Sequence, residues 1–334
     1  MRRRSLLLAA VPAGLVTLAG CGDGKSDSSK AGVSPSGSVS AAPPPKTVDA
    51  PLPAITAGTK FGEKPVVAKG PGEPSKNLAV KTVIAGSGRT VGENYFIRAD
   101  YLGQIWDTGK VFDNSYDRKQ PLVMQLAQGS LIDGWRYALA GKKVGSRIEI
   151  AVPPNLGYGP SGYPKAGIKG DDTLVFVVDL LEVYDSKSSV KGKPVAQSDP
   201  ALPTVATNTD GMVPKVTVPR TAPPKKLVST YVLEGDGPEV TAEQAVLCQF
   251  QGLVWDGGKT FQRTYGSGRL SQISIARMQQ VVKGLAEGLT GKKVGSRVLV
   301  VVPPDLGYGD TPPGGGVVKK GSTLVYTVDI LAAM

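Results

Sequence analysis

GKKVGSR occupies residues 141–147, and the same seven residues return unchanged at 291–297. The match extends in both directions. VPPNLGYG (152–159) is answered by VPPDLGYG (302–309), and DDTLVFVVDLLEV (171–183) by GSTLVYTVDILAA (321–333). Upstream, YLGQIWDTGKVFD (101–113) faces FQGLVWDGGKTFQ (250–262), and LPAITAGTKFG (52–62) faces LPTVATNTDGM (202–212). The offset is 149 in the middle and 150 at both ends, so the copies differ by single-residue insertions or deletions. The chain holds one unit twice, each copy roughly 130 residues, a normal size for a domain with its own core. Solenoid repeats, at about 20–50 residues, are far shorter and need neighbours to fold. The expected domains are 50–185 and 202–334. Between them SKSSVKGKPVAQSDPA (186–201), polar and proline-containing, reads as a linker.

The chain opens MRRRSLLLAAVPAGLVTLAGCGDG. Three arginines, an apolar run and small residues before Cys21 read as a signal peptide over 1–20. The run is short for a membrane span, which needs about 20 apolar residues. Leu18-Ala19-Gly20-Cys21 resembles the bacterial lipobox. That resemblance implies a lipid on the Cys21 thiol and a protein held on the outer face of the cytoplasmic membrane. The consecutive arginines fit either general or twin-arginine export. Residues 21–49, rich in Ser, Gly, Pro and Ala, cannot form a core and read as a disordered tether. Net charge is +11, and removing Arg2, Arg3 and Arg4 with the signal leaves +8. A basic surface of this size favours an anionic membrane or wall, or is simply solvated. No Lys/Arg run interleaved with aromatics points to nucleic acid.

The sequence contains no histidine, which removes Ser-His-Asp and Cys-His catalysis and most zinc sites. Cys248 alternates with Val246 and Phe250 and reads as a small core hydrophobe. There is no phosphate loop, dinucleotide fingerprint or paired-carboxylate motif. Chemistry in such a chain requires no metal, no cofactor and no nucleophile.

Period-two patterns mark strands at 80–85, 94–101, 147–153 and 173–183, the last apolar on both faces near its start. In SLIDGWRYALAG (130–141), Leu131, Trp135 and Leu139 recur every four residues, and Gly141 is a helix stop. Each unit is expected to be α+β, a curled antiparallel sheet (a half-barrel) packed on one short helix.

Five segments in fixed order carry a resemblance: YLG with GKVFD, LIDGW, GKKVGSR, VPPNLGYG and TLVFVVDLL. Together they resemble the FKBP family of macrolide-binding peptidyl-prolyl cis/trans isomerases, over nearly all of 76–184 and 225–334. The resemblance implies a pocket in the first copy walled by Tyr101 and Phe112, with Trp135 as its floor. It implies Asp113 at the mouth, Arg118 in the following loop, and Tyr158 presenting its hydroxyl at the rim. Leu122, Leu131, Ile132, Ile168 and Phe176 would close the remaining sides; the family usually has an aromatic where Leu122 stands.

Such a pocket suits rotation about X–Pro bonds, which breaks amide resonance against a barrier of about 18–20 kcal/mol. The twisted transition state is less dipolar than the planar amide, so a dry aromatic cavity favours it. Desolvation and preorganised polarity both remain open as the dominant effect. The second copy has drifted: Phe250, Gln262 and Leu285 stand for Tyr101, Asp113 and Trp135, and Ser267 falls near the place of Arg118. Phe261, Val281, Val282, Tyr308, Val318 and Tyr326 keep apolar or aromatic character. The expected partners are proline-containing polypeptides and a macrolide inhibitor, with activity in the first copy. The rival readings are a non-catalytic module or chaperone that holds proline segments, and a solute-binding lipoprotein. Tandem copies of one unit argue against the last, whose lobes are usually unlike.

Overall fold

The computed structural model describes residues 45–334. The expected signal peptide, Cys21 and most of the 21–49 tether lie outside them. The first unit runs β1 (Thr47–Val48), β2 (Ile55–Ala57), β3 (Val66–Val67), β4 (Leu78–Ile84), β5 (Phe96–Ile105), β6 (Val111–Asn114), β7 (Leu122–Gln125), α1 (Asp133–Leu139), β8 (Arg147–Val152) and β9 (Leu174–Tyr184). Its main sheet has the order β1-β4-β8-β9-β5-β6, with β7 also on β5. Every pairing in this sheet is antiparallel except β1 with β4, so the end of the expected tether is a parallel edge strand.

The second unit repeats the plan. It comprises β10 (Lys193–Pro194), β11 (Thr204–Val205), β12 (Val216–Thr217), β13 (Val228–Glu234), β14 (Ala245–Val254), β15 (Thr260–Arg263), β16 (Ser271–Ser274), α2 (Ile275–Met278), α3 (Lys283–Leu289), β17 (Arg297–Val302) and β18 (Leu324–Ala333). The sheet order is β10-β13-β17-β18-β14-β15. The expected single helix per unit holds for the first copy only. In the second, Ser274 caps an additional turn, its hydroxyl accepting from the Arg277 N–H at 3.4 Å.

Alternation explains both faces of the sheet. In the first unit Ile148, Ile150 and Val152 on β8 and Phe176, Val178 and Leu180 on β9 face the helix, with Ala138 and Leu139 of α1 in the same core. Ala151, Val175 and Val177 face the other way and are buried too. Their cover is the stretch of roughly 50–72, a strap with only two short strands. Its Leu52, Ile55 and Val67 close a second apolar layer with Leu102 and Trp106. Val205, Val216 and Val218 do the same in the second unit, over Trp255, Leu299 and Val325. The long run at 173–183 is apolar on both sides because both sides are covered.

Side chains of the sheet hold each strap. Arg147 and Asp179, both fully buried, pair with Nε–Oδ1 at 2.7 Å. The Arg147 guanidinium also donates to the strap carbonyls of Gly58 and Glu63, and Gly62 N–H donates to Asp179 Oδ2 at 2.7 Å. Arg297 and Asp329 repeat the pair at 2.6 Å, with Arg297 Nη1 reaching the Ala206 and Asn208 carbonyls at 2.9 and 2.8 Å. These arginines are the last residue of each GKKVGSR. Partners of this kind make an otherwise costly buried ion pair tolerable. The Trp106 indole donates to Gly72 O at 2.9 Å, and that of Trp255 to Thr221 O at 3.0 Å.

The segment 186–201 is not a free linker. Gln249 Nε2 donates to Ser186 O at 2.5 Å, Ser189 Oγ to Asp329 Oδ2 at 3.1 Å, and β10 is an edge strand of the second sheet. Val190 is buried among Phe96, Val123 and Tyr184 of the first unit and Leu233, Leu247 and Leu331 of the second. Its polar side chains look outward or pair, while its backbone joins a ladder and Val190 fills the junction. Cys248 is buried in the second core, as its alternation implies.

Candidate active site

The first pocket grows from the inward face of β5 and β9 and the N-terminal end of α1. Tyr101 sits on β5 and Phe176 on β9, with Gly103 beside them. A Cβ on Gly103 would lie 2.7 Å from the Phe112 ring and 2.9 Å from that of Phe176, so glycine lets the three elements close together. Trp135 meets Tyr101 edge-to-face at 5.4 Å and Phe176 at 5.3 Å, and Phe112 meets Phe176 at 5.7 Å. Edge-to-face pairs of this kind fix ring orientation as well as burying area. The four aromatics form one continuous wall and floor. The Trp135 Nε1–H, on a residue 2% exposed, has no partner among the described residues. An orphan donor of this sort usually costs about 1–3 kcal/mol.

Polar groups gather at the mouth. The Tyr101 hydroxyl donates to Asp113 Oδ2, Arg118 Nη1 donates to Asp113 Oδ1, and Arg118 Nη2 donates to the Tyr101 oxygen at 3.1 Å. Burial and then the Asp113 carboxylate hold the Tyr101 pKa well above the usual tyrosine range, so the phenol keeps its proton. Ser115 steadies the loop: its hydroxyl accepts from Tyr101 N–H at 2.9 Å and donates to Asp100 at 2.6 Å.

The rim comes from the turns after β8. Tyr158 stacks on Tyr163 with ring centres 5.3 Å apart. Burial, then Tyr163 and Asp113, raise its pKa, and its hydroxyl has no protein partner among the described hydrogen bonds. Ile168 is buried and exchanges backbone hydrogen bonds with Tyr163. Leu122, Leu131 and Ile132 are half-buried against the same core; Ile132 is the residue before the first helical turn. The structure thus brings the named residues together. Tyr163 was missed. Its only signal was a second tyrosine five residues after Tyr158, whose stacking no periodicity reveals.

In the second unit Phe250, Val282, Leu285, Val318 and Tyr326 are buried and Phe261 meets Tyr326 edge-to-face at 5.7 Å. Tyr326 carries a hydroxyl where Phe176 has none. Burial, and then the neighbouring Tyr308, raise the pKa of that hydroxyl. Val281 does not belong to this cavity: at 55% exposed it faces solvent. The extra turn α2 puts Ile275, fully buried, into the interior ahead of it.

A tandem sheet-and-helix unit with an aromatic pocket defines a class. The profile of the family described as FKBP-type peptidyl-prolyl cis-trans isomerase matches residues 87–181 and 237–331, more than half of the chain. The chain belongs to this family and is a peptidyl-prolyl cis-trans isomerase. It is 39% identical over 121 residues to the FK506-binding protein of Streptomyces anulatus, matching 36% of this chain and 98% of that one. It is 37% identical over 144 residues to the FKBP-type peptidyl-prolyl cis-trans isomerase FkpA of Escherichia coli (strain K12), matching 43% of this chain and 51% of that one. The human peptidyl-prolyl cis-trans isomerase FKBP10 is 30% identical over 242 residues, 72% of this chain and 34% of that one. The chain therefore spans nearly all of the first of these relatives, about half of the second and a third of the last.

Proposed function

We propose that catalysis resides in the first domain, over 50–185, and that the second domain, over 202–334, is weak or inactive. The carrying observation is the Tyr101–Asp113–Arg118 network above the Trp135 floor, which the second domain lacks. The proline ring enters the cavity of Trp135, Phe176, Phe112 and Tyr101, and each sheet curls as a half-barrel about its helix to form it. Tyr158 donates to a substrate carbonyl at the rim, while Tyr101 and Asp113 meet the carbonyl of the rotating bond. Losing a planar amide's dipole costs less in this dry setting than in water, and each ~1.4 kcal/mol of that difference is tenfold in rate. The Arg118 contact keeps the Asp113 charge compensated, so the mouth does not draw bulk water inward.

The relative named for FK506 suggests that this pocket also takes a macrolide of that type. Titration calorimetry with FK506 is expected to give one site per chain, with the first domain's activity inhibited in step. Two equal sites would place a working pocket in both domains. A non-catalytic role in holding proline segments fits the second domain, which keeps aromatic lining without a polar mouth.

We also propose that the protein is exported and lipid-anchored through Cys21, which the sequence Leu18-Ala19-Gly20-Cys21 supports. Cys21→Ala is expected to give a chain that partitions into the aqueous phase of a detergent extract. Mass spectrometry showing no lipid on the natural chain would overturn the anchor.

A further inference from the structure

The loop joining β6 to β7 carries Arg118 and is held at two points, one on the sheet beside the strap and one on the strap itself. The Tyr116 hydroxyl donates to Asp179 Oδ2 at 3.1 Å, sharing that carboxylate with the strap's Gly62 N–H. Lys64, on the strap, donates to Asp117 Oδ1 and Oδ2 at 2.7 and 2.8 Å. Asp117 is tied back to β6, accepting from Asn114 Nδ2 at 3.0 Å and donating its N–H to Asn114 Oδ1 at 2.8 Å. Lys64, Asp117, Arg118, Asp113 and Phe112 line one surface hollow of about 400 Å³.

The second unit separates the two grips. Tyr265, Arg297 and Asp329 stand for Tyr116, Arg147 and Asp179 and are all buried, so the inner set of residues is kept, although the Tyr265 hydroxyl has no hydrogen-bond partner among the described residues. The outer grip is gone: Pro214 replaces Lys64 and Gly266 replaces Asp117. Arg118 and Asp113 have given way in the same unit to Ser267 and Gln262. An ion pair between side chains 45% and 61% exposed adds little stability, so folding does not account for its presence in one unit alone.

We propose that Lys64 is a positioning residue for the isomerase reaction. By clamping Asp117 it sets the loop at the angle from which Arg118 reaches Asp113 and Tyr101, which makes the strap part of the active site. The inference rests on the first-domain mouth being the catalytic one. Displacement of a catalytic group by about 1 Å can cost up to ~100-fold in rate, so a loosened clamp reads out in turnover.

The test uses the whole chain and a protease-coupled proline-peptide assay. Lys64→Met is expected to lower kcat/KM about three- to tenfold, mainly through kcat, with an unchanged thermal midpoint. Lys64→Arg, which keeps the charge, is expected to retain at least half of the natural rate. Full activity in Lys64→Met overturns the inference, as does Lys64→Arg losing as much as Lys64→Met. Arg118→Ala in the same assay separates the two levels. If it is impaired while Lys64→Met is not, the mouth stands and the clamp falls. If Arg118→Ala retains full activity, both fall.

Discussion

Trp135→Leu is expected to lower kcat/KM on a proline peptide by about ten- to a hundredfold in the otherwise intact chain. The indole is the largest apolar surface in the pocket and touches both Tyr101 and Phe176. Replacing it with leucine removes contact worth about 1–3 kcal/mol to anything bound against it. The same substitution occurs naturally in the second unit, where Leu285 fills the floor and the unit still folds, so misfolding is not the expected cause. Circular dichroism and the thermal midpoint check that point. Asp113→Ala is expected to lower turnover with little change in stability, because Asp113 sits at the mouth rather than in the core. Gln262→Ala, at the matching place in the second unit, is expected to leave activity unchanged. Equal losses from Asp113→Ala and Gln262→Ala would show both units turning over substrate.

The second large effect concerns stability. Glu149 lies on β8 between Arg147 and Ala151, on the strap side, 3% exposed, with one carboxylate oxygen lacking any partner among the described residues. Arg147 on the same strand is already committed to Asp179 and the strap, and Lys81 on β4 only partly offsets the burial. Burial pushes the Glu149 pKa from 4.5 up to about 7. The folded state thus holds this proton more tightly than the unfolded chain does. Its stability is fully present below about pH 4.5 and falls as pH rises through about 7. The total is about 3 kcal/mol, at ~1.4 kcal/mol per pH unit. Glu149→Leu, the residue that stands at 299 in the second unit, is therefore expected to stabilise the chain most at pH 8. The advantage should shrink steadily toward pH 4.5. Urea unfolding of both proteins across that range checks it; a difference that does not change with pH would show the carboxyl to be solvated.

The elements that position the pocket were legible because they obey one period at a time. The β8 alternation, the four-residue recurrence of Leu131, Trp135 and Leu139, and the order of the aromatic residues survive any reasonable tertiary setting. The strap was not legible. Its strands are two or three residues long and its shape depends on Arg147 and Trp106, which lie more than 30 positions away. Composition misled at 186–201 for a related reason: a polar segment can still donate its backbone to a sheet edge and bury one Val190. Val281 was misplaced because pairing by position assumes equal helices, whereas the second unit forms the additional turn α2 just before it and leaves it exposed.

The strap also dates the repeat. Arg147 and Arg297 catch the same stretch of their own straps, and Trp106 and Trp255 close them at matching places. Two such sets of contacts are inherited together, so the ancestral gene segment that was copied already encoded strap and sheet as one piece. The two copies then diverged at Lys64, Asp113 and Arg118 while the Arg–Asp node stayed fixed, so shape and mouth chemistry vary independently in this fold.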